Sequence, residues 1–293
     1  MTKYIKYLSA ILAALLLSSC SEKALDPNSQ IFDSTVKQNE FDEWLTENYV
    51  LPYNIEFIYR MEYIESDMNY YLVPAEYNKS VQIAKLMIHL CLQAYDEVTG
   101  SKDFIKTYFP KMIHIIGSPA YRNNGTMVLG TAEGGLKITL YMINSLEIKP
   151  DYLNEYYFHT MHHEFAHILH QTKPYSSDFE MISGSKYVKD TWNSTYRTDE
   201  EAWQEGFITP YGASEANEDF VELLSTYITN TPQFWSDMLK GAGKEGSAII
   251  SQKFDIVYNY MMNSWGIDLN ELRSVILRRE SDLQLFGIHS LRS

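Results

Sequence analysis

The stretch His163-Glu164-Phe165-Ala166-His167 constrains this chain more than any other. Two histidines four residues apart lie about one turn apart on one face of an α-helix, where both imidazoles can reach a single ion. Glu164 is rotated by about 100° from His163. Its carboxylate can therefore take a proton from water beside the ion without becoming a ligand. Met161, Phe165, Ile168 and Leu169 supply an apolar back, so the segment reads as a helix packed into a core and presenting its other face to a cleft.

Two histidines do not complete a catalytic zinc site, which takes three protein ligands and keeps one position open. His159 and His170 share the stripe, but His170 lies about 10 Å along the axis from His163, too far for both to meet one ion. Both read as outer or cleft residues. The extended metzincin pattern is excluded because Lys173 stands where its third histidine belongs. The third ligand must come from another element. Glu218-Asp219-Phe220-Val221-Glu222 offers acids at the start of a second amphipathic helix, expected over Glu218 to Ile228.

The amino terminus carries Lys3 and Lys6, an apolar run from Leu8 to Leu17, and Leu17-Ser18-Ser19-Cys20. This is the layout of a secretory signal, and the run is too short to span a bilayer comfortably. Its end has the form of a lipobox, in which the cysteine is lipidated and becomes the first mature residue. Residues 1–19 are therefore expected to be a lipoprotein signal peptide, residues 20–30 a lipidated Cys20 with a polar tether, and residues 31–293 one domain. Against 38 acidic residues stand 24 basic ones, a net charge of −14. Loss of Lys3 and Lys6 takes the mature chain to about −16. Nucleic acid is an unsuitable partner for such a surface. With Cys20 acylated, Cys91 is left without a disulfide partner and reads as a buried apolar thiol.

Helices are expected from Phe41 to Tyr49, ended at Leu51-Pro52-Tyr53-Asn54, then from Ile55 to about Tyr63 and from Lys79 to Tyr95. Lys111 to Ile116, Thr126 to Leu129 and Leu136 to Ile143 read as strands separated by glycine-bearing turns. An edge of that sheet can pair with an extended substrate backbone. Gln171 to Asn217 has little periodicity and reads as a lid or cleft wall. Within it Asp199-Glu200-Glu201 reads as the acidic start of a helix rather than a calcium site. Phe234 to Leu239, Ile249 to Trp265 and Leu269 to Leu277 complete the chain as helices.

His163-Glu-Phe-Ala-His167, then Tyr211-Gly212, then Glu218-Asp-Phe-Val-Glu222 resembles the gluzincin arrangement of the anthrax lethal factor family. The resemblance implies Glu218 as third metal ligand, with Glu222 as its alternative. It also implies Tyr211 as the phenol that steadies an oxyanion and Glu164 as general base. Asp219 and Ala166 depart from that pattern without removing a ligand. The lipobox, Trp44-Leu45-x-x-Asn48-Tyr49-x-x-Pro52-Tyr53-Asn54-Ile55 and the two metal motifs together resemble the zinc-binding metallopeptidase lipoproteins of Bacteroidetes, a substrate-import-associated zinc metallohydrolase family. That resemblance implies an α+β, zincin-like fold, mostly helical with a small mixed β-sheet before the active-site helix. It also implies a zinc cofactor, a peptide or protein substrate, an outer-membrane lipid anchor and a SusC/SusD-like importer as partner. Two other readings use the same features: a non-catalytic peptide- or glycan-binding lipoprotein, for which 23 tyrosines supply stacking surface, and a zinc hydrolase of glycoproteins or non-peptide amides.

Overall fold

The computed structural model describes residues 37–61, 70–121, 127–133, 135–283, 286–288 and 290–291. The expected signal peptide, lipidated cysteine and tether lie outside the described residues, as does the turn at Asn123-Asn124-Gly125. The chain divides into Met1–Gln38 and Asn39–Ser293, and all that follows concerns the second unit. Among the described residues no helix is long and apolar enough to cross a membrane.

Helix α1 runs through Glu40–Leu45, a π-turn at Thr46–Val50 and Leu51–Tyr53. Asn39 caps it by accepting from the Phe41 and Asp42 amides. It passes through Pro52 to Tyr53, four residues beyond the expected end at Tyr49, and stops at Asn54 in the left-handed conformation (φ 56°). The expected helix over Ile55 to Tyr63 is not formed in its described part, residues 55–61. Glu56–Ile58 is instead strand β1, its register fixed against the strand Met112–Ile115, β2. The reason is visible in burial: Ile55, Phe57 and Tyr59 are buried and Glu56 and Arg60 exposed, a period of two that a helix cannot satisfy.

Helix α2 combines Tyr77–Met87, a π-turn Ile88–Leu92 and Gln93–Thr99, and α3 is Asp103–Tyr108. Ala120–Tyr121 (β3) and Met127–Val128 (β4) form a short antiparallel ribbon. Gly130–Glu133 (β5) and Lys137–Leu140 (β6) then join the main sheet, whose order is β1-β2-β6-β5. The first three strands are parallel and β5 is antiparallel to β6, so the sheet is mixed, as expected.

Helix α4 starts at Pro150–Leu153, continues through a π-turn at Asn154–Phe158 and delivers the histidines on His159–Thr172. Proline suits the first helical turn, where its missing N–H costs no hydrogen bond. The helix ends at Lys173, whose extended backbone is what a following proline, Pro174, imposes. Met161, Phe165, Ala166 and Leu169 are buried in the main core, and Ile168 is half-buried at its margin, packed against that core and also lining the cleft.

The segment from Gln171 to Asn217 is not structureless. It contains α5 (Asp178–Ser183), α6 (Trp192–Thr195) and α7 (Asp199–Gln204). Asp199, Glu200 and Glu201 form the first turn of α7, with the Thr198 hydroxyl accepting from the Glu201 amide. Helix α8, Ala216–Thr229, then packs directly on α4. Helices α9 (Pro232–Gly241), α10 (Gly243–Tyr260 with a π-turn at Met261–Trp265) and α11 (Leu269–Ser281) complete the fold. Leucines, isoleucines and aromatics from α1, α2, the sheet, α4, α8, α10 and α11 join one hydrophobic core. The result is an α+β molecule, mostly helical, with the sheet beside the histidine helix.

Candidate metal centre

Packing of α4 against α8 brings three side chains from two elements to one point. His163 Nε2 lies 3.2 Å from His167 Nε2. Glu218 Oε2 lies 3.1 Å from the first and 3.3 Å from the second. Among the described residues this is the group of His, Cys, Asp and Glu whose ligand atoms fit around a metal ion. Ligands about 2.0–2.1 Å from an ion at tetrahedral angles stand about 3.3 Å apart. The triangle therefore matches three corners of a zinc tetrahedron, and its two nitrogens and one carboxylate oxygen suit that ion.

Electrostatics point the same way. Burial disfavours charge on His163, yet its contacts with Glu218 and Glu222 raise the imidazole to about 10. Burial likewise opposes ionisation of Glu218, but the His163 and His167 rings hold its carboxyl far below the usual range. The two carboxylates thus favour positive charge between them, whether a proton on the imidazole or a cation in its place.

Glu222, one turn further along α8, faces the other side of the same imidazole. Its Oε1 is 2.7 Å from His163 Nδ1, and its Oε2 accepts from the Thr209 hydroxyl at 2.7 Å. A histidine that offers Nε2 to a metal carries its proton on Nδ1, and a carboxylate there fixes both tautomer and ring plane. His167 Nδ1 is similarly 3.0 Å from His170 Nε2. His159 Nε2 lies 3.1 Å from Ser225 Oγ and 3.3 Å from Thr226 Oγ1, which ties α4 to α8 beyond the ligands. So His159 and His170 both lie in the outer positions that the axial spacing suggests.

The triangle opens on a cleft of about 630 Å³ whose lining includes Glu164, Tyr211, Gly130 and Thr131 of β5, and Trp192. Glu164 lines the same cleft, and burial raises its carboxyl against the pull of the two imidazoles. A carboxylate so raised binds a proton more readily than one in water. Tyr211 lies over His163, ring centroids 6.0 Å apart and planes 29° apart, and Trp192 packs edge-on against Tyr211 at 5.4 Å. Trp192, Thr209 and the strand β5 are parts of this site that sequence reasoning did not single out. Thr209, two residues before the Tyr-Gly pair, is the only one whose position carries a signal.

Gln171 to Asn217 forms a wall of this cleft and is anchored from behind. Asp219, next to Glu218, is buried with Lys253 of α10, Nζ to Oδ2 2.6 Å. Tyr187 donates to the same Asp219 oxygen at 2.9 Å. Lys253 also donates to the Gly206 carbonyl at 2.8 Å and lies 4.1 Å from the centre of the Phe207 ring. Gly212 backs closely onto Asp219: a β-carbon added there would stand 3.5 Å from the Asp219 α-carbon.

A family model described as "Putative zinc-binding metallo-peptidase" matches residues 34–270. The chain belongs to this family. A crystal structure from Bacteroides caccae, of a "putative zinc-binding metallo-peptidase", is 48% identical to it with a TM-score of 0.76. The match covers 86% of this chain and 95% of that one. No curated protein matches. Family and neighbour are both described as zinc-binding, in agreement with the tetrahedral fit of the two histidines and Glu218.

Proposed function

We propose that this family member is a gluzincin-type peptidase that cleaves peptide bonds in the cleft between β5 and the wall at Trp192 and Tyr211. One observation carries the reading: a triangle of zinc dimensions lies on the floor of an open cleft that also holds a half-buried carboxylate, Glu164. Bound zinc would supply an acidified water and polarise the scissile carbonyl. Glu164 takes the proton of the attacking water and returns it to the leaving nitrogen. The Tyr211 hydroxyl donates to the oxygen on which negative charge develops. Glu222 and His170 hold the imidazoles in the tautomer that leaves each Nε2 free to ligate. The strand β5, which stands at one edge of the sheet among the described residues, is suited to aligning an extended peptide.

The same proposal includes attachment through lipid on Cys20 at the outer membrane and service to a SusC/SusD-like importer. Both rest on the lipobox and on the family resemblance. The test is elemental analysis followed by a peptide-library digest with wild type and Glu164→Gln. We expect one zinc per chain in both proteins, with turnover in Glu164→Gln lower by roughly 10²–10⁴-fold. Undiminished cleavage by Glu164→Gln would overturn the mechanism. Peptide capture that survives chelation, with no turnover, would favour the binding-protein reading.

A further inference from the structure

The cleft wall and the metal ligand His163 are joined by a closed circuit of hydrogen bonds and ring contact. The Gly212 amide donates to Thr209 Oγ1 at 3.0 Å, and Thr209 Oγ1 donates its single proton to Glu222 Oε2 at 2.7 Å. The other Glu222 oxygen faces His163 Nδ1 at 2.7 Å. From Gly212 one peptide bond leads back to Tyr211, whose ring lies over His163. Each polar group is used in the only direction open to it. An amide can only donate, an ionised carboxylate can only accept, and an imidazole that ligates through Nε2 has only its Nδ1 proton to give. A hydroxyl can accept from Gly212 and donate to Glu222 through one and the same atom.

We propose that Thr209 is a positioning residue for the metal centre. Through Glu222 it sets the plane of the His163 ring, and through Gly212 it holds Tyr211 in register with that ring. Thr209 is not among the residues lining the cleft, so it acts on substrate only through these neighbours. Glu222 is 4% exposed. Its Oε2 has little access to water, so loss of the Thr209 hydroxyl leaves an ionised oxygen poorly satisfied. The carboxylate then has reason to swing away from His163.

This inference rests on the zinc reading of the site, and its test is therefore made on metal affinity rather than on turnover. Zinc dissociation constants of the folded full chain are measured by chelator competition for wild type, Thr209→Val, Thr209→Ala, Thr209→Ser and Glu222→Gln, with the corresponding double variants. Thr209→Val and Thr209→Ala should each weaken zinc by roughly 10-fold, the lower end of the effect of outer partners. Thr209→Ser, which keeps the hydroxyl, should stay within about 2-fold of wild type. In the Glu222→Gln background Thr209→Ala should add little, because its path to His163 is already altered. Where peptidase activity is measurable, Thr209→Ala should lower kcat with KM nearly unchanged. Wild-type zinc affinity in Thr209→Val and Thr209→Ala, or a full and additive effect in the Glu222→Gln background, would overturn the proposal. Failure of the wild type to bind zinc would instead overturn the metal reading beneath it.

Discussion

Glu218 and Glu222 stand one turn apart on α8 and meet the same histidine from opposite sides, one at Nε2 and the other at Nδ1. Truncating them should have separable effects. Glu222→Ala removes an outer partner and should weaken zinc by about 10–100-fold. Glu218→Ala removes one of three ligands and should cost more than that, to the point of losing metal on dialysis. Titration with a competing chelator ranks the two, and a larger loss in Glu222→Ala would exchange their roles. Spacing alone leads to this pair and no further, and the preference for Glu218 comes from the resemblance. Residues at i and i+4 share a helix face, so both acids point toward α4. Which of them meets Nε2 depends on the axial offset between two packed helices, fixed by the burial of Phe220, Val221 and Leu224. That offset is a property of packing, absent from any spacing along the chain. His163, Glu164 and His167 were legible because their relation lies within one helix.

Long amphipathic elements announce themselves and short ones do not. Helices α4, α8, α10 and α11 each repeat their apolar positions over several turns and appear close to where the periodicity puts them. The misread element is β1, with three residues in the strand and too little alternation to outweigh a helical reading of Ile55 to Tyr63. The strand β5 was overlooked because Gly130-Thr-Ala-Glu133 has almost no apolar pattern. Its strand character comes from pairing with β6. Gly130 permits that pairing beside the histidine helix: a β-carbon there would stand 2.6 Å from Thr160 Cγ2 and 3.1 Å from the Thr139 carbonyl. Gly130→Ala should therefore destabilise by about 1–3 kcal/mol. Thr160→Ser, which removes the opposing methyl, should recover a substantial part of the loss in the double variant. Thermal melts of the four proteins test this, and equal destabilisation in both backgrounds would show that the clash lies elsewhere.

At the scale of the whole molecule, stability should respond to pH through a group far from the cleft. Glu280 of α11 is buried and accepts from Asn154 of α4 at 2.8 Å. Burial pushes its carboxyl up to about 7, Asn154 opposing and the charge of Asp151 adding to the rise. An acid raised on folding contributes stability that is fully present below its unfolded value and is lost as pH rises through the folded one. Its loss therefore falls between about pH 4.5 and 7. Glu280→Gln keeps an acceptor for Asn154 and cannot ionise. It should gain roughly 1–3 kcal/mol at pH 8, read as a rise in Tm of several degrees, and gain little at pH 4.5. An equal shift at both pH values would exclude ionisation of Glu280 as the cause.

Lys253 also decides when a newly made chain can own a finished catalytic cleft. The histidines, Glu218 and the entire recognisable motif are synthesised ahead of it, yet Asp219 has no cation to be buried with until α10 docks. Before that, desolvating Asp219 is unfavourable, and the first turn of α8, which holds Glu218, cannot settle against its neighbours. A fragment ending before α10 would thus contain every metal ligand and still lack a shaped site. Completion of the site should therefore wait for the helices that follow the motif in the chain, α10 above all.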